Sequence, residues 1–272
     1  MNFSRIMASE RAKMKSPRIL FLDVETAPKI AYVWRTYKEN VSVEQLVSDT
    51  HLLSYAAKWF GDKRVLYSDQ SRAKSLTNDT RLLMEIHDLL DEADIVVAHN
   101  GQAFDLPFVL TRMAGYDILP PSSFRQIDTY RVAKKQFGFT FNKLEFLAKA
   151  LKCKTLKNPH KKFPGIELWK ECLSRNQVAW AEMRKYNIDD VLALEEIYLK
   201  LRPWIEGHPN VGNYMDTTRP VCPKCGGVVE RRGTAYTQTG QYTKYRCTDC
   251  GGYSRGRQMT SGKEHRKQQL VN

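Results

Sequence analysis

No apolar run in the 272-residue chain is long enough to cross a bilayer, and the mean hydropathy of −0.51 agrees, which excludes a membrane-spanning class. The first apolar stretch, residues 18 to 24, is short and leads into Asp23 and Glu25, so no secretory signal is expected and a cytoplasmic, reducing location is. There is no internal repeat and no low-complexity tract. Hydrophobic residues at 42% and aromatics at 11% leave enough core to exclude wholesale disorder. Acids are in short supply: 30 Asp and Glu stand against 43 Lys and Arg, a formal net charge of +13. That surplus makes a polyanion, with nucleic acid foremost, the expected partner.

Cysteine is scarce as well, with six in all, and four of them lie in the final fifth as Cys222-Pro-Lys-Cys225 and Cys247-Thr-Asp-Cys250. Two C-x2-C pairs suit tetrahedral zinc far better than disulfides, and Gly226-Gly227 and Gly251-Gly252 follow as permissive turn residues. The stretch between the pairs reads as a β-hairpin with a turn near Thr239-Gly240. The expectation is a zinc ribbon over residues 219–258 holding one structural Zn²⁺, since four thiolates leave no open position.

Residues 219–272 carry 11 basic and 3 acidic side chains, so most of the excess charge sits in this appendage. Its arginines interleave with tyrosines, a composition suited to gripping phosphates and stacking on bases. Arg231, Arg232, Tyr245 and Arg246 are the expected nucleic-acid contacts here. The alternative is that the tyrosines merely form a small core, or that the ribbon serves a protein partner.

In the larger part, residues 1–17 read as a flexible basic arm, and Arg18 to Glu25 as a buried strand. A hairpin is expected over 52–60 and 64–67, a helix over 82–90, a strand over 94–99, and helices over 104–113, 142–151 and 176–201. Strands mixed with helices indicate an α/β domain over 18–205, followed by a linker at 206–218 and, beyond the ribbon, a basic tail at 259–272. Seven lysines fall within 143–162 against the single acid Glu145. Lys154, Lys157, Lys161 and Lys162 therefore form a candidate phosphate track, or else a solvated face.

The acids carry the chemistry. Asp23 and Glu25 are two apart, so on a strand they aim at one face and repel unless a cation sits between them, which points to Mg²⁺ or Mn²⁺. Asp105 follows the second buried strand at a helix start, and Asn100 before it either contacts substrate or caps that helix. Tyr186 shares a helix face with Asp190 at i+4 and nearly with Asp189 at i+3, and periodicity does not choose between the two aspartates. Asp128 reads as an acid that either supports the site from behind or caps a helix, and not as a ligand.

In these residues the sequence resembles the DEDD (DnaQ-like) superfamily of 3′–5′ exonucleases, which have a ribonuclease H-like fold. The D-x-E motif matches Asp23-Val-Glu25, the N-x3-F-D motif matches Asn100 through Phe104-Asp105, and the Y-x3-D motif matches Tyr186 through Asp190, favouring Asp190. The tyrosine is similar to the branch containing proofreading domains and RNase D, with family B polymerase exonuclease domains nearest in character. The nearest upstream histidine, His160, lies too far away in sequence to fill the third motif.

The resemblance implies a central mixed sheet flanked by helices, with two Mg²⁺ or Mn²⁺ held by Asp23, Glu25, Asp105 and Asp190, and with Tyr186 orienting the attacking water. It implies hydrolysis of single-stranded DNA from the 3′ end to nucleoside 5′-monophosphates. An RNA 3′ exonuclease of the same fold and a non-catalytic nucleic-acid adaptor are the rival readings.

Overall fold

The computed structural model describes residues 16–156, 160 and 162–270. Its contacts divide into two compact units, one over Arg18–Tyr198 and one that includes the chain from Leu199 onward. The division falls inside the last long helix.

In the first unit, β1 (Ile19–Thr26), β4 (Leu52–Trp59), β5 (Leu66–Asp69), β6 (Ile95–Ala98) and β7 (Arg125–Asp128) form a five-stranded sheet in the order β5-β4-β1-β6-β7. β1 pairs antiparallel with β4 and parallel with β6, so the sheet is mixed. Two short strands, β2 (Ile30–Ala31) and β3 (Leu46–Ser48), form a small separate pair.

Helices α1 (Thr80–Glu92) and α2 (Asp105–Gly115) bury Leu82, Leu83, Ile86, Val109 and Met113 against Leu20, Leu22 and Val24 of β1. Those three β1 residues alternate with Phe21, Asp23 and Glu25, which must then face the other side of the sheet. On that side, α6 (Gln177–Leu201) packs Tyr198 edge-on to Phe21 at 5.5 Å. Helices α3 (Thr129–Gln136), α4 (Leu144–Ala150) and α5 (Glu167–Leu173) lie between β7 and α6 in the chain. Leu168 and Cys172 of α5 join Trp180, Met183 and Tyr186 of α6 in a second core over Ala27 and Leu53. The α/β fold with helices flanking a mixed sheet is as expected.

Asp79, fully buried just before α1, ties three elements together. Its carboxylate accepts the Leu52 N–H at 2.8 Å and both the Nε and Nη2 of Arg112, at 3.0 and 2.6 Å.

The second unit is built on an antiparallel sheet of β8 (Val229–Thr237), β9 (Gly240–Cys247) and β10 (Tyr253–Met259), with α7 (Lys263–Lys267) beyond. The hairpin was expected; the third strand was not. The 206–218 segment, read as a linker, holds a 3₁₀ turn at Val211–Tyr214, and the Val211 N–H donates to the Pro223 carbonyl at 2.8 Å.

Candidate active site

The site begins at the C-terminal end of β1, where Asp23 and Glu25 project from one face and α6 brings Asp190 across it. One carboxylate oxygen from each of these three lies within 4.8 Å of the others. Asp189 is half-buried outside this group, with its pKa raised by burial. The helix register therefore selects Asp190. Three carboxylates this close repel unless cations or protons intervene, and their hard oxygen donors suit Mg²⁺ or Mn²⁺.

Asp105 is outside the converging three. It opens α2, is only 4% exposed, and its Oδ1 accepts the Val24 N–H at 3.2 Å, the peptide between Asp23 and Glu25. Burial pushes its pKa up to about 6, the Val24 hydrogen bond pulls the other way, and the charge of Asp128 adds to the rise. It thus adjoins the triad through the backbone of β1.

The turn into α2 is tight. Asn100 takes a left-handed φ of 66°, and a Cβ on Gly101 would meet the Ala98 Cβ at 2.3 Å. Asn100 is not the N-cap of α2, a place held by Phe104; instead its carbonyl accepts from Ala103 and Phe104 at 3.1 Å. Asp128 caps α3 through the N–H groups of Tyr130 and Arg131, as expected, and also accepts from the Asn100 and Gln102 N–H groups.

Two residues that the motifs did not single out hold the acids in place. The Asn187 side chain, fully buried, donates to Asp23 Oδ2 at 2.6 Å and accepts from the Ser54 hydroxyl at 3.1 Å. Trp169 Nε1 donates to Glu25 Oε2 at 3.1 Å. Its ring meets Tyr186 edge-on at 5.9 Å, and His160, set aside on sequence distance, packs edge-on against Tyr186 at 5.2 Å and Trp169 at 5.8 Å. Burial, then the charges of Glu25, Asp190 and Asp23, push the Tyr186 phenol far above its ordinary pKa.

In the second unit, Cys222, Cys225, Cys247 and Cys250 converge with their sulfurs within 4.8 Å of one another. Cys222–Cys250 and Cys225–Cys247 stand at 3.7 and 3.5 Å. Zn–S bonds of about 2.3 Å in a tetrahedron put sulfurs about 3.8 Å apart, so the cluster fits Zn²⁺. A hydrogen bond between Cys222 and Cys225 pulls the Cys222 thiol below its ordinary pKa and pushes Cys225 above it. Gly226 and Gly251 adopt φ of 74° and 75°, the left-handed turns that the two knuckles require.

The sheet register splits the residues expected to form one nucleic-acid surface. Arg231 pairs with Tyr245 on one face, whereas Arg246 pairs with Glu230 on the other. Arg232 is exposed and ion-paired to Glu230 at 3.1 Å. In the lysine-rich segment Lys154 and Lys162 are exposed, and Lys157 and Lys161 lie outside the described residues.

Among the described residues no helix is long and apolar enough to cross a membrane. None of the curated proteins compared with the chain matches it. A solved structure to which the chain is similar is that of the family B DNA polymerase from the hyperthermophilic archaeon Pyrobaculum calidifontis, with a TM-score of 0.49 at 16% identity. The similarity covers 69% of this chain and 25% of that one, so the chain spans about a quarter of the polymerase. The sequence model of the RNase H superfamily matches residues 48–202. The match takes in Asp105, Tyr186 and Asp190 and begins after β1, whose Asp23 and Glu25 the fold then adds to the same site. With more than half of its length matched, and with carboxylates gathered at a strand end of a mixed sheet, the chain belongs to the RNase H superfamily.

Proposed function

We propose that the chain is a metal-dependent 3′–5′ exonuclease that hydrolyses single-stranded DNA and releases nucleoside 5′-monophosphates. The observation that carries this reading is the convergence of Asp23, Glu25 and Asp190 at the end of β1. These three would hold two Mg²⁺ or Mn²⁺, with Asp105 adjoining them through Val24. When bound, the metals supply charge neutralisation at the scissile phosphate and a lowered pKa for water.

The protein's own part is to hold that arrangement. Asn187 sets the Asp23 carboxylate, and Trp169 sets Glu25. Tyr186, buried beside them, orients the attacking water as a hydrogen-bond donor.

Residues 18–205 are the proposed nuclease domain and 219–258 a zinc ribbon that aids strand binding. Asn100, Lys154 and Lys162 are proposed strand contacts on the nuclease side. Oligonucleotides labelled at either end, in matched DNA and RNA forms, test polarity, product and sugar preference together. Mononucleotides released first from the 3′ end of DNA, and lost in Asp23→Ala and Asp190→Asn, are the expected result. Undiminished digestion by both variants excludes the assignment.

A further inference from the structure

The cysteine-bearing sheet has two faces of different character. Residues paired directly across neighbouring strands share a face. Tyr253 pairs with Arg246 and Arg255 with Lys244, so these four lie together, and Glu230 opposite Arg246 is the acid they share the face with. Arg246 lies over the Tyr253 ring at 5.9 Å, and Arg255 over the ring of Tyr242 at 4.1 Å. Tyr253 is nonetheless 55% exposed. Along β10, Tyr253, Arg255 and Arg257 line a cleft of about 470 Å³ together with Lys224 and the 205–208 segment, whose Glu206 is the acid in its lining. The cleft, the cations and the exposed ring belong to the same compact unit.

We propose that this face and its cleft bind single-stranded nucleic acid, a base lying on Tyr253 and phosphates lying along Arg246, Arg255 and Arg257. The inference rests on the reading of the protein as a nuclease and names where the second unit takes the strand. Three features favour a single strand. An exposed ring gains by stacking only on an unpaired base, and the cations beside it can take the phosphates of the same strand. The cleft is also large enough for a nucleotide, within the roughly 300–1,000 Å³ of ligand pockets. The stretch from residue 219 onward, with 11 basic and 3 acidic side chains, supplies the charge complement. β10 starts three residues after Cys250, so the metal knuckle sets its position.

The test is the anisotropy of a labelled 20-nucleotide oligothymidylate with the full chain, zinc-loaded and without added Mg²⁺ or Mn²⁺. Tyr253→Ala is expected to weaken binding about fivefold to a hundredfold, and Tyr253→Phe to retain it. Tyr236, 74% exposed and paired with Gln241 on the opposite face, supplies the control, and Tyr236→Ala should bind as wild type does. Arg255→Ala with Arg257→Ala should flatten the logarithmic salt slope by about 1.4, whereas the double Lys variant keeps it. Zinc content and melting temperature check that each variant is folded.

Wild-type affinity and salt slope in folded Tyr253→Ala and Arg255→Ala/Arg257→Ala would overturn the proposal and leave the face to a protein partner. Equal losses on a blunt duplex would overturn the stacking assignment. Hydrolysis of a tetranucleotide with Mn²⁺ reports on the acidic site separately. If wild type fails to hydrolyse it while binding still depends on Tyr253, the exonuclease reading falls and this one stands.

Discussion

The Asn187 amide donates to Asp23 Oδ2 at 2.6 Å and also reaches the Asp23 carbonyl at 3.3 Å, so one buried side chain sets both the carboxylate and the backbone of the first acid. Its oxygen is held in turn by Ser54 on the neighbouring strand. An outer partner of this kind typically governs metal affinity or activity by about 10–100-fold. Asn187→Ala is therefore expected to lower Mn²⁺-dependent hydrolysis by about that factor and to raise the half-saturating Mn²⁺ concentration. Ser54→Ala should move both in the same direction by less. A metal-saturation curve identical to wild type would reduce Asn187 to a packing role.

Trp169 does the equivalent for Glu25 while packing against Tyr186 and His160. Trp169→Phe removes the Nε1–H and keeps an aromatic ring in place. Its melting temperature should stay close to that of wild type, and the half-saturating metal concentration should rise roughly tenfold. Trp169→Ala should lower both stability and activity. The separation of the two effects is what identifies the hydrogen bond as the working element.

Neither partner was legible in the sequence, because the contacts span 164 and 144 positions and follow no local period. The buried strands and long helices were legible, since β1 and β6 are unbroken apolar runs and α1 and α6 carry apolar residues at helical spacing. The helix α3 and the strand β7 were not: Arg-Gln-Ile-Asp offers too few apolar residues to announce a strand, and it becomes one by pairing with β6. β10, with its Tyr-Ser-Arg-Gly-Arg run, is likewise a strand only because β9 lies beside it. Motif spacing brought Asp105 to the right end of the sheet but carried no information on where its carboxylate turns. The Val24 peptide decides that.

The Asp79–Arg112 pair predicts stability, not activity. Asp79 is fully buried and meets the guanidinium through two nitrogens while also accepting the Leu52 N–H. Asp79→Ala strands the Arg112 charge and leaves the Leu52 N–H without its carboxylate. Breaking a buried pair from one side costs about 3–5 kcal/mol, visible as a lower denaturant midpoint. A change below about 1 kcal/mol would mean that solvent readily replaces the carboxylate.

His51 gives a pH dependence with a definite sign. It is buried, its Nε2 has no hydrogen-bond partner among the described residues, and burial lowers its pKa below the ordinary 6.5. Arg112 opposes its protonation, while the Asp49 carbonyl and the charge of Asp79 favour it without prevailing. The unfolded chain then binds the proton more readily than the folded one, so the stabilising contribution is complete above pH 6.5 and is lost as pH falls below it. Amide exchange protection along Leu52–Trp59 should weaken between pH 7 and 5, after correction for intrinsic rates. His51→Gln should flatten that trend.

The four cysteines predict a metal-dependent second unit. Their sulfurs converge between the Pro223–Lys224 knuckle and the end of β9, and few apolar side chains stand behind them: Tyr242 and Val211 are buried there, while Tyr236 and Val228 are exposed. A sheet with so little core depends on its staple. Native mass spectrometry should find one Zn²⁺ per chain, and Cys250→Ser or a strong chelator should remove it. Metal loss should abolish amide protection in β8–β10 while protection in β1, β4 and β6 persists. Retention of the β8–β10 protection in metal-free protein would show that the hairpin's own packing suffices, and the zinc would then be dispensable to the fold.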